Sequence, residues 1–105
     1  MTDPLSVPID KLRQALDRVL AALQADQGDV VPLSADYYWV LAPRATYDVY
    51  EAPSVDDFTI GQLSDDVVTL DEMLRPDQPV SIWHDLQHLA GILQRLATQD
   101  LPPGT

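Results

Sequence analysis

Two histidines near the C-terminal end of the chain are the side chains best suited to metal chemistry. The segment from His84 to His88 reads His-Asp-Leu-Gln-His, and a helix brings residues four apart onto one face. Zinc hydrolases use this spacing with an intervening glutamate as base for the zinc-bound water. Asp85 stands in place of that glutamate here, and its side chain is one methylene shorter. The pattern therefore predicts either a metal site at His84 and His88 or two polar helix residues paired with nearby carboxylates.

A second chemical feature is a dense run of carboxylates in the middle of the chain. The net charge is −11, and one 30-residue stretch holds nine acids and a single base, Arg75. The acids are Asp48, Glu51, Asp56, Asp57, Asp65, Asp66, Asp71, Glu72 and Asp77. Such charge either keeps a surface solvated or offers a basic partner something to bind. The adjacent acidic pairs lack the glycine-bearing, alternate-oxygen spacing of a calcium loop.

Other catalytic patterns are missing from the sequence. No serine lies in a glycine-framed elbow, and the four glycines never cluster as a phosphate-binding loop would require. The chain has no cysteine, so it has no thiol nucleophile, thiolate zinc site or disulfide. The sequence predicts no catalytic residue and no cofactor.

Aromatic side chains stand close to the acidic run. Four tyrosines and one tryptophan fall within 14 residues, namely Tyr37, Tyr38, Trp39, Tyr47 and Tyr50. Most of them should be core, but tyrosine is also common at binding hot spots. A position at a helix start is sufficient to explain Asp65 and Asp66, because the helix dipole favours negative charge there. The residues left for a basic partner are Asp48, Glu51, Asp56, Asp57, Tyr47 and Tyr50.

The periodicity of apolar residues predicts the elements that position these side chains. Three- and four-residue spacing predicts a helix over 7–26, capped by Ser6 and ended by Gly28. Short runs of β-branched and aromatic residues predict strands at 37–41, 46–50 and 58–63. A helix should follow Ser64 and end near Arg75, and another should run from Pro79 or Val80 to Thr98.

These elements define an α+β fold in a single domain over residues 1–105. We expect an N-terminal helix, a three-stranded antiparallel meander and two C-terminal helices packed on the sheet. Residues 99–105 should be frayed, because their prolines cannot extend the helix. An uncovered sheet edge would allow a homodimer.

Composition also limits the classes of partner. An acidic chain with a pI near 4.1 is repelled by phosphate backbones and anionic lipid, so we expect no direct nucleic-acid binding and no membrane association. The first 30 residues contain no long apolar run, so we expect neither a signal peptide nor a membrane span there. A cytoplasmic protein is the resulting expectation.

Three segments resemble a small family of uncharacterised acidic bacterial proteins. They are Asp36-Tyr-Tyr-Trp39, Tyr47-Asp-Val-Tyr-Glu51 with Pro53, and Thr59-Ile-Gly-Gln-Leu-Ser-Asp-Asp66, and the resemblance extends over about residues 36–90. It implies a bacterial, single-domain α+β protein. No activity, cofactor or catalytic residue follows from it.

The leading functional hypothesis is a non-catalytic interaction module, of the immunity or regulatory type, that binds a basic protein. The alternative is a metal-dependent enzyme or metal-binding protein that uses His84 and His88.

Overall fold

The computed structural model describes residues 5–99 of the chain, and contacts divide it into two compact units. The first unit extends to Pro32, and the second is Leu33–Gln99. The elements in chain order are α1 (Ile9–Gln27), β1 (Tyr37–Leu41), α2 (Pro43–Thr46), a 3₁₀ turn (Val55–Asp57), β2 (Phe58–Gln62), α3 (Leu63–Met73) and α4 (Ile82–Thr98). Over the described residues this is an α+β chain with four α-helices and one two-stranded sheet.

Helix α1 accounts for most of the first unit. The predicted cap at Ser6 is not used, because the helix begins after Pro8, whose extended backbone occupies the N-cap position. The helix ends at Gln27, one residue later than predicted, and Gly28 follows as the predicted terminating residue. Gly28 adopts a φ of 92° and its N–H donates to the carbonyl of Gln24, a conformation that glycine adopts without steric cost.

The sheet pairs β1 with β2 in antiparallel order. Tyr37 lies opposite Gln62 and Leu41 lies opposite Phe58. Cross-strand partners point to the same face, so the Tyr38 ring lies over Gly61, where a Cβ would overlap it. The first predicted strand forms as predicted, and the last ends at Gln62, one residue early.

The predicted strand at 46–50 does not form, so the three-stranded meander is wrong. Pro43 starts the one-turn helix α2 immediately after β1, with its fixed φ at the first helical position. The Thr46 hydroxyl then donates to the carbonyls of Leu41 and Ala42. These local bonds hold the chain in a turn, and the β-rich composition of the segment cannot overcome them.

Helices α3 and α4 pack together in the second unit. Leu63, the first residue of α3, is 2% exposed and is the buried apolar residue among those described. Tyr38 extends from the sheet toward Gly91 on α4, and a Cβ there would overlap the phenolic oxygen. The two glycines thus make room for one tyrosine between sheet and helices.

The ends of the two C-terminal helices differ from the sequence expectation by a few residues. Gln62 is the N-cap of α3 instead of Ser64, and Ser81 precedes α4. Gln99 is buried and accepts hydrogen bonds from Ser34, while the rest of the segment predicted to fray lies outside the described residues. Among residues 5–99, no helix has the length and apolarity that a membrane span needs.

Candidate functional site

A series of polar contacts connects the sheet to α3 and α4. The Asp66 carboxylate is 3% exposed and accepts a hydrogen bond from the Tyr38 hydroxyl at 2.5 Å. Its other oxygen lies 2.6 Å from Nδ1 of His88. A carboxylate removed from water in this way requires such partners, because an unpaired buried charge is strongly unfavourable.

The contacts continue along α4 from His88 to His84. The Nε2 atoms of the two imidazoles lie 3.2 Å apart, and Nδ1 of His84 lies 3.2 Å from Asp85 Oδ1. The rings meet edge to face with centroids 4.5 Å apart. The His84 side chain is 62% exposed and that of His88 is 22% exposed. The histidine pair therefore forms the solvent-facing end of this series of polar contacts.

Burial and Asp66 together alter the acidity of Tyr38. Partial burial of the phenol raises its pKa to about 12, and the nearby carboxylate adds to the shift because it favours the protonated hydroxyl. Tyr38 therefore remains a hydrogen-bond donor at neutral pH. It holds the Asp66 carboxylate in place and is not available as a base.

Asp85 does not occupy the role that the zinc-hydrolase pattern would give its acid. One of its oxygens contacts Nδ1 of His84, and the other accepts a hydrogen bond from the Ser81 N–H. The second contact is a helix-start interaction, in which a carboxylate satisfies a free backbone donor. Within residues 5–99, no group of three or more His, Cys, Asp or Glu side chains is placed to hold a metal ion.

Sequence reasoning assigned Asp66 to a helix start and missed its contacts with Tyr38 and His88. The signal was present in the helix period. Asp66 stands three residues after Leu63 and four before Leu70, which places it on the apolar stripe of α3. A carboxylate on the buried stripe of a helix needs a partner, and that requirement points to polar residues on neighbouring elements.

The other predicted site lies in the connection between β1 and β2. Asp57 is 6% exposed, contacts the Arg44 guanidinium, and accepts a hydrogen bond from the Ser54 N–H at 2.9 Å. The bond from Ser54 is the main reason that the pKa of Asp57 lies below its usual value, and the charge of Arg44 contributes. Asp57 therefore serves the internal structure of this connection.

Both tyrosines of this predicted site point outward. Tyr47 is 85% exposed and Tyr50 is 98% exposed. Asp48 and Glu51 line a shallow depression together with Arg44, and Asp48 also accepts a hydrogen bond from the Tyr50 N–H. Asp56 is exposed as well. Of the predicted partner-binding residues, the structure thus leaves Asp48, Glu51, Asp56, Tyr47 and Tyr50 exposed and turns Asp57 inward.

Asp36 is a further carboxylate that sequence reasoning did not identify. It accepts hydrogen bonds from the Ser64 N–H at 2.8 Å and from the Gln62 side chain at 3.2 Å. Both bonds lower the pKa of Asp36, the first more than the second. A side chain distant in sequence therefore caps α3, which explains why Ser64 is not needed as the cap.

Comparisons with known protein families, with curated proteins and with solved structures find no match for this chain. The resemblance to acidic bacterial proteins therefore stays a prediction.

Proposed function

We propose that this protein is a non-catalytic interaction module that binds a basic protein through the segment 47–56, hereafter the acidic loop. The observation that carries the proposal is the near-complete exposure of Tyr47 and Tyr50 among exposed carboxylates. Two tyrosines so exposed leave most of their apolar area in water unless a partner covers it. Tyrosine also combines a rigid apolar ring with a hydrogen-bonding hydroxyl, which suits a binding surface.

Charge supports a basic partner. The cation at the depression, Arg44, is already in contact with Asp57, so Asp48, Glu51 and Asp56 keep their negative charge available. Opposite charge on a partner would increase the association rate and fix its orientation on the loop. Because these carboxylates are exposed, salt should weaken the interaction.

The inward orientation of Asp57 changes the predicted set of contacts. Asp57 would act indirectly, by holding Ser54 and Arg44 and thereby the shape of the acidic loop. The direct contacts would come from Asp48, Glu51, Asp56, Tyr47 and Tyr50. An immunity-type or regulatory role, a homodimer through a sheet edge, and a cytoplasmic location all remain part of the proposal.

The test compares two triple charge reversals with equal changes in net charge. Asp48→Lys/Glu51→Lys/Asp56→Lys alters the acidic loop, and Asp71→Lys/Glu72→Lys/Asp77→Lys alters exposed carboxylates elsewhere. Immobilised protein is used to capture basic proteins from host extract at low and high salt. We expect a basic protein that binds the natural chain and the second variant at low salt, and that is lost from the first.

A second comparison separates the aromatic contribution from the charge. Tyr47→Ala/Tyr50→Ala should weaken capture of the same protein without altering its salt dependence, because the substitutions remove apolar contact area and leave every carboxylate. Equal capture by both charge-reversal variants, or no basic protein captured by the natural chain, would contradict the proposal.

A further inference from the structure

The Nε2 atoms of the two histidines face each other at a distance that a proton or a metal ion can bridge. Nδ1 of His88 faces Asp66, and Nδ1 of His84 faces Asp85. An ionised carboxylate only accepts hydrogen bonds, so each Nδ1 must carry the proton. When an imidazole is neutral, that N–H is its only one, and its Nε2 then presents a lone pair. The two Nε2 atoms lie 3.2 Å apart, and lone pairs on both would repel at that distance unless a proton or a metal ion lies between the two atoms.

We propose that this species is a divalent transition-metal ion bound by Nε2 of His84 and Nε2 of His88. Zinc lies about 2.0–2.1 Å from an imidazole nitrogen, so two ligands at a tetrahedral angle stand roughly 3.3 Å apart. The separation of 3.2 Å fits that arrangement with almost no movement of either ring. This inference is independent of the proposed partner at the acidic loop.

The surrounding carboxylates distinguish this pair from an ordinary pair of surface histidines. Metal-bound histidines generally donate their second ring N–H to a carboxylate, which fixes the ring and increases its basicity. Asp66 is the carboxylate beside Nδ1 of His88. Burial and the hydrogen bond from the Tyr38 hydroxyl fix the position of the Asp66 side chain. Asp85 serves His84 and is held by the Ser81 N–H. Both rings are thus oriented before any metal binds.

The ligand types define the class of metal. Imidazole nitrogen suits Zn²⁺, Cu²⁺ and Ni²⁺, whereas Mg²⁺ and Ca²⁺ prefer oxygen ligands. The described residues provide no third ligand, so water would complete the coordination on the exposed side of His84. The site is a binding site for such an ion, and no hydrolytic step is part of the proposal.

The direct test is calorimetric titration of the full chain with Zn²⁺ and, separately, with Cu²⁺ and Mg²⁺. We expect one Zn²⁺ and one Cu²⁺ per chain and no binding of Mg²⁺. His84→Ala and His88→Ala should each weaken Zn²⁺ binding by at least about tenfold, because one remaining imidazole is a poor site. Binding of Zn²⁺ that is absent, or unchanged in both alanine variants, would show the inference to be wrong.

A second set of variants tests the orienting role of Asp66. Asp66→Asn should weaken Zn²⁺ binding by about 10–100-fold, while Asp65→Asn, its exposed neighbour on α3, should leave it unchanged. Equal affinities in the two variants would contradict the assigned role. Circular dichroism checks the fold, and if Asp66→Asn does not fold, Asp85→Asn replaces it, with the same expectation for the carboxylate beside His84.

Nitrogen NMR of the imidazoles distinguishes a metal from a shared proton. Addition of Zn²⁺ should shift the Nε2 signals of His84 and His88 and leave both Nδ1 atoms protonated. If the signals instead report a proton shared by the two Nε2 atoms that stoichiometric Zn²⁺ does not displace, the metal assignment is overturned.

Discussion

Asp66 and Asp57 are buried carboxylates of the second unit, and different partners stabilise them. Asp66 has a tyrosine and a histidine from two other elements. Asp57 has a backbone N–H and a guanidinium from its own loop region. The first arrangement aligns a pair of imidazoles at the surface, and the second shapes the acidic loop. The sequence alone predicts a helix-start role for Asp66 and a partner-binding role for Asp57.

The contacts of Asp57 predict a pH-dependent contribution to stability. The pKa of Asp57 is lower in the folded chain than its ordinary value of 3.8. Its contribution to folding stability is therefore fully present above pH 3.8 and is lost as the pH falls through the pKa of the folded chain. Asp57→Asn should therefore lower the urea midpoint at pH 7, and the difference from the natural chain should narrow below pH 3.8. Asp56→Asn, an exposed neighbour, should change little at any pH. A difference that is constant with pH would contradict this account.

The raised pKa of Tyr38 predicts a loss of stability at alkaline pH. Its pKa is raised to about 12, so its contribution to stability is present below 10.0 and is lost as the pH rises toward 12. Phenolate absorbance is titrated for the natural chain and for Tyr38→Phe, and the second curve is subtracted from the first. The difference should show one step near pH 12. A step near 10 would mean that the hydroxyl is neither buried nor bonded to Asp66.

At the scale of the elements, the packing of Tyr38 between two glycines joins the sheet to the helices. Gly61 lies opposite it on β2, and Gly91 lies near its hydroxyl on α4. Glycine inside a helix costs about 1 kcal/mol relative to alanine, so its presence in α4 needs a compensating contact. The approach of Tyr38 and Asp66 to Gly91 provides that compensation.

Gly91→Ala tests this interpretation. A new Cβ would overlap the Tyr38 hydroxyl and the Asp66 carboxylate, and overpacking of this kind costs about 1–3 kcal/mol. We expect a lower free energy of unfolding by urea denaturation, despite the better helix propensity of alanine. In a Tyr38→Ala background the same substitution should cost less, because the ring is gone. An equal loss in both backgrounds would show that Tyr38 is not the obstacle.

The element that sequence reasoning misassigned lies between the two strands. Residues 46–50 are rich in strand-forming types, but Pro43 starts a helical turn that includes Thr46, the first of them. Local hydrogen bonds formed within three or four residues compete well with a strand that would need a distant partner. The result places Tyr47 and Tyr50 in a loop, where they are exposed instead of paired in a sheet.

At the scale of the whole molecule, the net charge of −11 is a destabilising term. Like charges repel more in the compact state than in the extended chain, and salt screens this repulsion. The thermal midpoint at pH 7 should therefore rise when NaCl increases from about 0.01 M to about 0.1 M, as the screening length falls from about 30 Å to about 10 Å.

The charge-reversal variant of α3 and its following turn is the control for this effect. Asp71→Lys/Glu72→Lys/Asp77→Lys replaces three negative charges with three positive ones at exposed positions and so changes the net charge from −11 to −5 (−11 + 6), and its thermal midpoint should respond less to salt. An equal salt response in both chains would indicate that long-range repulsion is not the cause.

Periodicity in the sequence was sufficient to predict helices α1, α3 and α4, and runs of β-branched and aromatic residues predicted both strands that form. Together they gave the α+β class. Periodicity also placed His84 and His88 on one face of α4. These features depend on residues within a few positions of each other, where spacing alone determines which side chains share a face. Only the tertiary structure decided that Asp66 joins Tyr38, 28 residues earlier, and His88, 22 residues later. It likewise brought the Arg44 guanidinium to Asp57, 13 residues later, and left Tyr47 and Tyr50 in water. Burial and pairing depend on what distant segments bring to a residue, and spacing along one element does not contain that information.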